Sequence, residues 1–156
     1  MKPRRVHRRT ILEASYESVC EALLSPAVMQ HIARPLMVIR SADPEGFPER
    51  WQKRRYRAKL HAFGVLPLGW QDIDVGFAEI EPGRLYRGRD RGGGQLARSW
   101  DHRLEVERID DGHCAYSDTV DVEAGAFTPI AGVTVKLLFA HRQRRLQKLA
   151  RNGFRL

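Results

Sequence analysis

One stretch near the C-terminus, Pro129 to Ala150, restricts this chain to folds that can house a long helix. Proline fits the first turn of a helix, where its missing N–H leaves no bond unmade. Nothing after it breaks the pattern for about 22 residues, ~33 Å at 1.5 Å per residue, and Asn152-Gly153 forms a natural stop. Val135, Leu138, Phe139, Leu146 and Leu149 recur at helical spacing as one apolar stripe. Lys136, Gln143, Arg144, Gln147, Lys148 and Arg151 take the opposite side. The first half, with Ile130, Val133 and Leu137, is apolar nearly all round, as in a helix enclosed on several sides. Arg142 interrupts the apolar stripe, between Val135 and Leu146. The pattern predicts a long helix laid across a sheet and closing a cavity.

Upstream, Val6 to Leu12 reads as a weakly alternating strand. Ser15 is placed to cap a helix from Tyr16 to about Leu24, with Glu17 and Glu21 toward its positive end. Ser25-Pro26 opens a second short helix through Ala33, ended by Pro35. Met37 to Arg40 is a brief strand, and the chain then reads as β for some seventy residues. Strands are predicted over 51–63, 70–80, 84–90, 97–109 and 113–123. Between them lie the apolar loop Gly64 to Gly69, the turns Glu81-Pro82-Gly83 and Asp110-Asp111-Gly112, and a flexible reversal at Gly92-Gly93-Gly94. Tyr56, Ala58, Leu60 and Ala62 share one face of their strand, opposite a basic outer stripe of Lys53, Arg55, Arg57 and Lys59. Trp100, His102, Leu104 and Val106 share another face, as do Cys114, Tyr116, Asp118, Val120 and Val122. Strands in series joined by hairpin-length turns, with helices grouped to one side, make an α+β fold. It is an antiparallel sheet of about seven strands with two short helices and one long one, in one domain over 1–156.

Charge is unevenly placed. The net charge of +8 comes from the two ends: residues 1–10 hold five Lys or Arg and no acid, and residues 136–156 hold seven and none. Terminal basic clusters suit nucleic acid or anionic membrane, and equally a solvated helix face and a solubilising arm. Cys20 and Cys114 have no metal or redox spacing around them and read as buried reduced thiols of a cytoplasmic protein. The N-terminal arginines precede no apolar run, which argues against a signal peptide. The most apolar window, Ala124 to Ala140, holds Pro129, two glycines and Lys136 and falls short of the ~20 residues of a membrane span.

The order of these elements resembles the helix-grip (START/Bet v 1-like, SRPBCC) superfamily, which includes polyketide cyclase/dehydrase-type and lipid-transfer domains. The resemblance covers nearly the whole chain. It rests on Ser25-Pro26 between short helices, Gly64-Val-Leu-Pro-Leu-Gly-Trp70, Trp100-x-His102, Asp118-x-Val120-x-Val122 and Phe139-x-His141-Arg142. It implies a curved sheet wrapped round the long helix with a small hydrophobic ligand (lipid, polyketide or aromatic) held between. Two departures stand out: His141 replaces an aromatic residue before the helix arginine, and GGGQLARS replaces a tighter turn before Trp100.

Three polar residues sit on faces otherwise apolar: His102, Asp118 and Arg142. Removing one partner of a buried pair typically costs ~3–5 kcal/mol, so Asp118 and Arg142 are expected to pair or to share a ligand, with His102 in reach. They form either a polar anchor for a ligand or an ion pair tying helix to sheet. Tyr56, Leu60, Trp70, Phe77, Tyr86, Trp100, Tyr116, Val135, Leu138 and Phe139 either line the cavity or form core. The Gly64 to Gly69 loop is a candidate gate. No nucleophile elbow, phosphate loop, dinucleotide motif or metal spacing occurs, and nothing points to a cofactor. The leading expectation is therefore a non-catalytic binder of a small hydrophobic molecule. The alternatives are a cyclase, aromatase or dehydratase using His102 and Asp118, and a nucleic-acid or transient membrane contact through the basic segments 2–9, 53–59 and 142–151.

Overall fold

The alternation in the middle of the chain builds one seven-stranded antiparallel sheet in the computed structural model, which describes residues 1–156. Its strands are β1 (Arg4–Leu12), β2 (Met37–Ser41), β3 (Arg55–Ala62), β4 (Leu66–Glu81), β5 (Leu85–Gly92), β6 (Ser99–Asp110) and β7 (His113–Glu123). They lie in the order β1-β7-β6-β5-β4-β3-β2, so the first two strands form opposite edges. Helices α1 (Tyr16–Leu23) and α2 (Pro26–Ala33) carry the chain from one edge to the other, and α3 (Thr128–Arg151) follows a short 3-10 turn. Ser15 caps α1 by accepting from the Ser18 N–H at 3.2 Å. Register shifts at Leu60/His61, Glu79/Glu81 and Arg108/Asp110 bend the sheet. The layout is the expected α+β helix-grip.

The largest core cluster joins α1 and the last turns of α3 to the sheet through Leu12, Tyr16, Val19, Val106, Tyr116, Leu146 and Leu149. Nearer the start of α3, Val135 and Phe139 pack on Val120 and Val122. A third cluster gathers Tyr56, Ala58 and Ile73 with Phe47 and Trp51 at the far side of the sheet. The outer face carries cross-strand ion pairs: Arg57 with Asp72, Arg89 with Asp101 and Arg87 with Glu105 lie at 2.9, 2.7 and 3.0 Å. Arg5 and Arg103 share Asp121.

Glutamines fasten the long helix to the edge of the sheet. Gln143 donates to the Arg8 carbonyl at 3.0 Å and Gln147 to the Thr10 hydroxyl at 2.6 Å, while from α2 Gln30 donates to the Ile39 carbonyl at 2.8 Å. The prediction that put Gln143 and Gln147 on the solvent side of α3 is corrected: Gln143 is 2% exposed, because its amide faces β1 and β7. The enclosure expected for the first half of α3 is also corrected. Ile130, Val133 and Leu137 are all more than half exposed. The three-glycine segment after Arg91 is no loose reversal. A Cβ on Gly92 would sit 1.9 Å from the Asp72 carbonyl oxygen and one on Gly94 2.3 Å from that of Trp70, so glycine permits close contact with β4.

Two leucines of one helix separate these environments. Leu146→Ala is expected to lower stability by about 2–5 kcal/mol, and Leu137→Ala by no more than about 0.5 kcal/mol, as measured by urea unfolding.

Candidate functional site

Between α3, α2 and the inner face of the sheet lies a cavity of about 410 Å³, within the ~300–1,000 Å³ typical of small-molecule sites. Its wall is mostly apolar. Period-two alternation turns Gln71, Ile73, Val75 and Phe77 of β4 inward, with Asp90 of β5 and Trp100, His102 and Leu104 of β6. From α3 come Ala131, Val135, Leu138 and Arg142. Leu96, Phe127 and Ile130 line the cavity and are also exposed, which places the mouth between the β5–β6 turn and the start of α3.

Of the residues singled out in the sequence, Leu60, Phe77, Trp100, His102, Tyr116, Val135, Leu138 and Arg142 line the cavity. The others stand elsewhere. Tyr56 packs edge-to-face on Trp51 at 5.0 Å and accepts from the Gln52 N–H. Trp70 is turned to the outer face, where the Arg57 guanidinium covers its ring at 3.8 Å. Tyr86 stacks behind Phe77, ring centroids 5.8 Å apart. Phe139 lies beneath Arg142 and His102, and Asp118 sits behind His102 and Tyr116. Gly64 to Gly69 supplies no lining residue. β4 begins at Leu66, and with Phe63 and Gly64 both at positive φ the supposed gate shrinks to a three-residue hairpin turn.

Of the two arrangements expected for Asp118 and Arg142, the direct pair does not form. Asp118 accepts from His102 Nε2 at 2.7 Å, the Tyr116 hydroxyl at 2.8 Å and Gln143 Nε2 at 2.9 Å. Burial alone would raise its pKa; the His102 bond, the fields of His102 and Arg142 and the Gln143 amide outweigh it and hold the carboxyl below its ordinary value. One position along the helix is a rotation of about 100°. Gln143 therefore takes the place expected of Arg142, and Arg142 turns into the cavity. Its guanidinium lies 4.4 Å over the Phe139 ring, it makes no hydrogen bond or ion pair, and its Nε is buried without an acceptor. A carboxylate only accepts, so His102 holds a proton on Nε2 and presents Nδ1 without a protein partner.

The sequence reading missed Asp90 and Gln71. Asp90 lies opposite His102 across the β5–β6 ladder and accepts from the Asp74 N–H at 2.8 Å. Burial pushes its carboxyl above the ordinary value, against the Asp74 N–H, His102, Trp100 and Arg142. Its signal was available: Tyr86, Gly88 and Asp90 share one face of β5, opposite Arg87, Arg89 and Arg91. Gln71 Nε2 is buried with no partner. No three His, Cys, Asp or Glu side chains converge to hold a metal. Burial raises the thiols of Cys20 and Cys114, to about 12 and about 11, which disfavours the thiolate form.

Part of each basic segment is engaged by protein groups, while Lys2, Arg4, Arg8, Arg9, Lys53, Lys59, Arg144 and Lys148 have no acidic partner. Arg55 and Arg57 face Asp74 and Asp72, Arg5 pairs with Asp121, Arg151 with Glu13, and Arg145 donates to the His31 carbonyl. No helix is long and apolar enough to cross a membrane.

Residues 10–150 match the family described as Domain of unknown function (DUF8410). No curated protein matches the sequence. A conserved protein from Geobacillus kaustophilus superposes with a TM-score of 0.63 at 18% identity, over 96% of this chain and 97% of that one. An aromatase/cyclase from a Streptomyces species gives 0.54 at 12% identity, over 97% and 91%. A START superfamily protein from Mycobacterium smegmatis gives 0.55 at 13%, over 93% and 98%. The likeness establishes the START/Bet v 1-like helix-grip fold.

The raised carboxyl of Asp90 has a measurable consequence. A folded-state pKa above the unfolded one means that stability is lost as pH rises through the folded value. Asp90→Asn keeps an acceptor for the Asp74 N–H, so it should melt above wild type at pH 7. The gap should close as pH falls through about 4, near the unfolded aspartate pKa, when thermal melts are followed across pH.

Proposed function

Because the chain belongs to the DUF8410 family, whose description assigns no activity, we propose a function from the site: residues 1–156 act as one domain that binds a small hydrophobic molecule without transforming it. The cavity of about 410 Å³ carries this reading. It is too large to be a packing defect, its wall is apolar, and its few polar groups include donors with no protein acceptor. Such donors are costly to bury unless something else accepts from them. A guest burying ~300 Å² of apolar surface gains ~7 kcal/mol at ~25 cal/mol per Å². Immobilisation offsets part of that, which sets the expected affinity near micromolar or weaker.

The likeness to an aromatase/cyclase and the free Nδ1 of His102 support a second reading, acid–base catalysis on a polyketide-like guest. Asp118 would hold the ring in one tautomer, as the 2.7 Å bond permits.

Native mass spectrometry of protein purified from its host is expected to reveal a co-purified apolar molecule. Nile red, a neutral apolar dye, is expected to bind the emptied protein, and Ala131→Trp, which fills the cavity from α3, to weaken it at least tenfold. Unchanged dye binding in that folded variant sinks the cavity reading. Turnover of a polyketide-like substrate that is lost in His102→Gln, with binding retained, would favour the enzyme.

A further inference from the structure

The polar wall of the cavity is unbalanced in a way that specifies its guest. Arg142 is a cation on the wall of an apolar chamber, and no acidic side chain pairs with it. The carboxylate best placed by sequence to neutralise it, Asp118, already accepts from His102, Tyr116 and Gln143. The other inward carboxyl, Asp90, lines the same cavity and feels the field of Arg142, but it accepts from the Asp74 N–H and makes no hydrogen bond or ion pair with the guanidinium. The guanidinium is instead steadied on one side by the Phe139 ring at 4.4 Å, which leaves its N–H fork free. A planar fork of donors fits a carboxylate with two parallel bonds, and a charge-assisted bond is roughly twice as strong as a neutral one.

Taking the cavity to be a binding site as proposed above, we infer that its guest is an amphiphilic acid, with its carboxylate on Arg142 and its apolar body running along Leu104, Val135 and Leu138 toward the mouth. A neutral guest without an acceptor leaves the guanidinium N–H groups with no hydrogen-bond partner. Discrimination between the two is then a property of Arg142 and not of the apolar wall.

Dodecanoate and dodecan-1-ol share a hydrocarbon chain and differ in the head group. Displacement of Nile red at pH 7.5 is expected to show dodecanoate binding at least tenfold tighter than the alcohol. In Arg142→Met the acid should fall to the level of the alcohol, while the alcohol stays within twofold of its wild-type affinity. Arg142→Lys, which keeps the charge and loses the fork, should retain part of the preference. Equal affinities in wild type, or a preference that survives Arg142→Met, overturn the acid assignment and leave the hydrophobic-guest reading standing. Failure of both ligands and of Nile red itself overturns both. The wild-type comparison decides the matter even where a variant fails to fold.

Discussion

Asp118 is the point at which helix and sheet are made to agree. A buried carboxylate is tolerated only with its lone pairs occupied, and here the three donors come from three elements: Tyr116 on its own strand β7, His102 on β6 and Gln143 on α3. Gln143 also reaches the Arg8 carbonyl on β1. The rotation and the axial position of α3 are therefore set by one amide with two fixed acceptors. With Gln143 held there, Arg142 has no choice but to face the chamber, and the polar character of the cavity follows from how the helix is attached.

Much of this was legible in the sequence, for identifiable reasons. Strand faces announced themselves by alternation, as in Trp100, His102, Leu104 and Val106, and helix ends by Ser15, Pro26 and Asn152-Gly153. The swap between Arg142 and Gln143 was not legible, because hydropathy periodicity fixes a helix face to within about one residue and both neighbours are polar. Asp90 was hidden differently. It stands among four arginines of Arg84 to Arg91, where net charge suggests a solvent-facing strand, and only strict alternation from Tyr86 through Gly88 reveals that it points inward. The helix fell short of the expected enclosure because an apolar residue is not obliged to be buried; Ile130 marks the mouth and Leu137 stands in solvent.

The outer face of the sheet shows how a chain of net charge +8 places its arginines. Nearly every outward arginine on β3, β5 and β6 has an acid across the ladder, at 2.9 Å for Arg57–Asp72 and 2.7 Å for Arg89–Asp101. Exposed pairs of this kind contribute up to ~1 kcal/mol each. Their larger effect is on register, since a slip of one residue would turn these paired charges onto the apolar inner face. Lys2, Arg4, Arg8 and Arg9 near the N-terminus and Arg144 and Lys148 on α3 lie outside this lattice.

The amide bonds from Gln30, Gln143 and Gln147 have a bearing beyond the cavity. An open sheet ends on each side in a strand with bare ladder groups, a template on which foreign strands can grow. Here β1 has α3 laid against it with glutamines on its carbonyl and hydroxyl oxygens, and β2 has the Gln30 amide on Ile39. The same helices that roof the chamber thus also deny neighbouring chains a margin to zip onto, guarding against the self-association to which half-open sheets are prone.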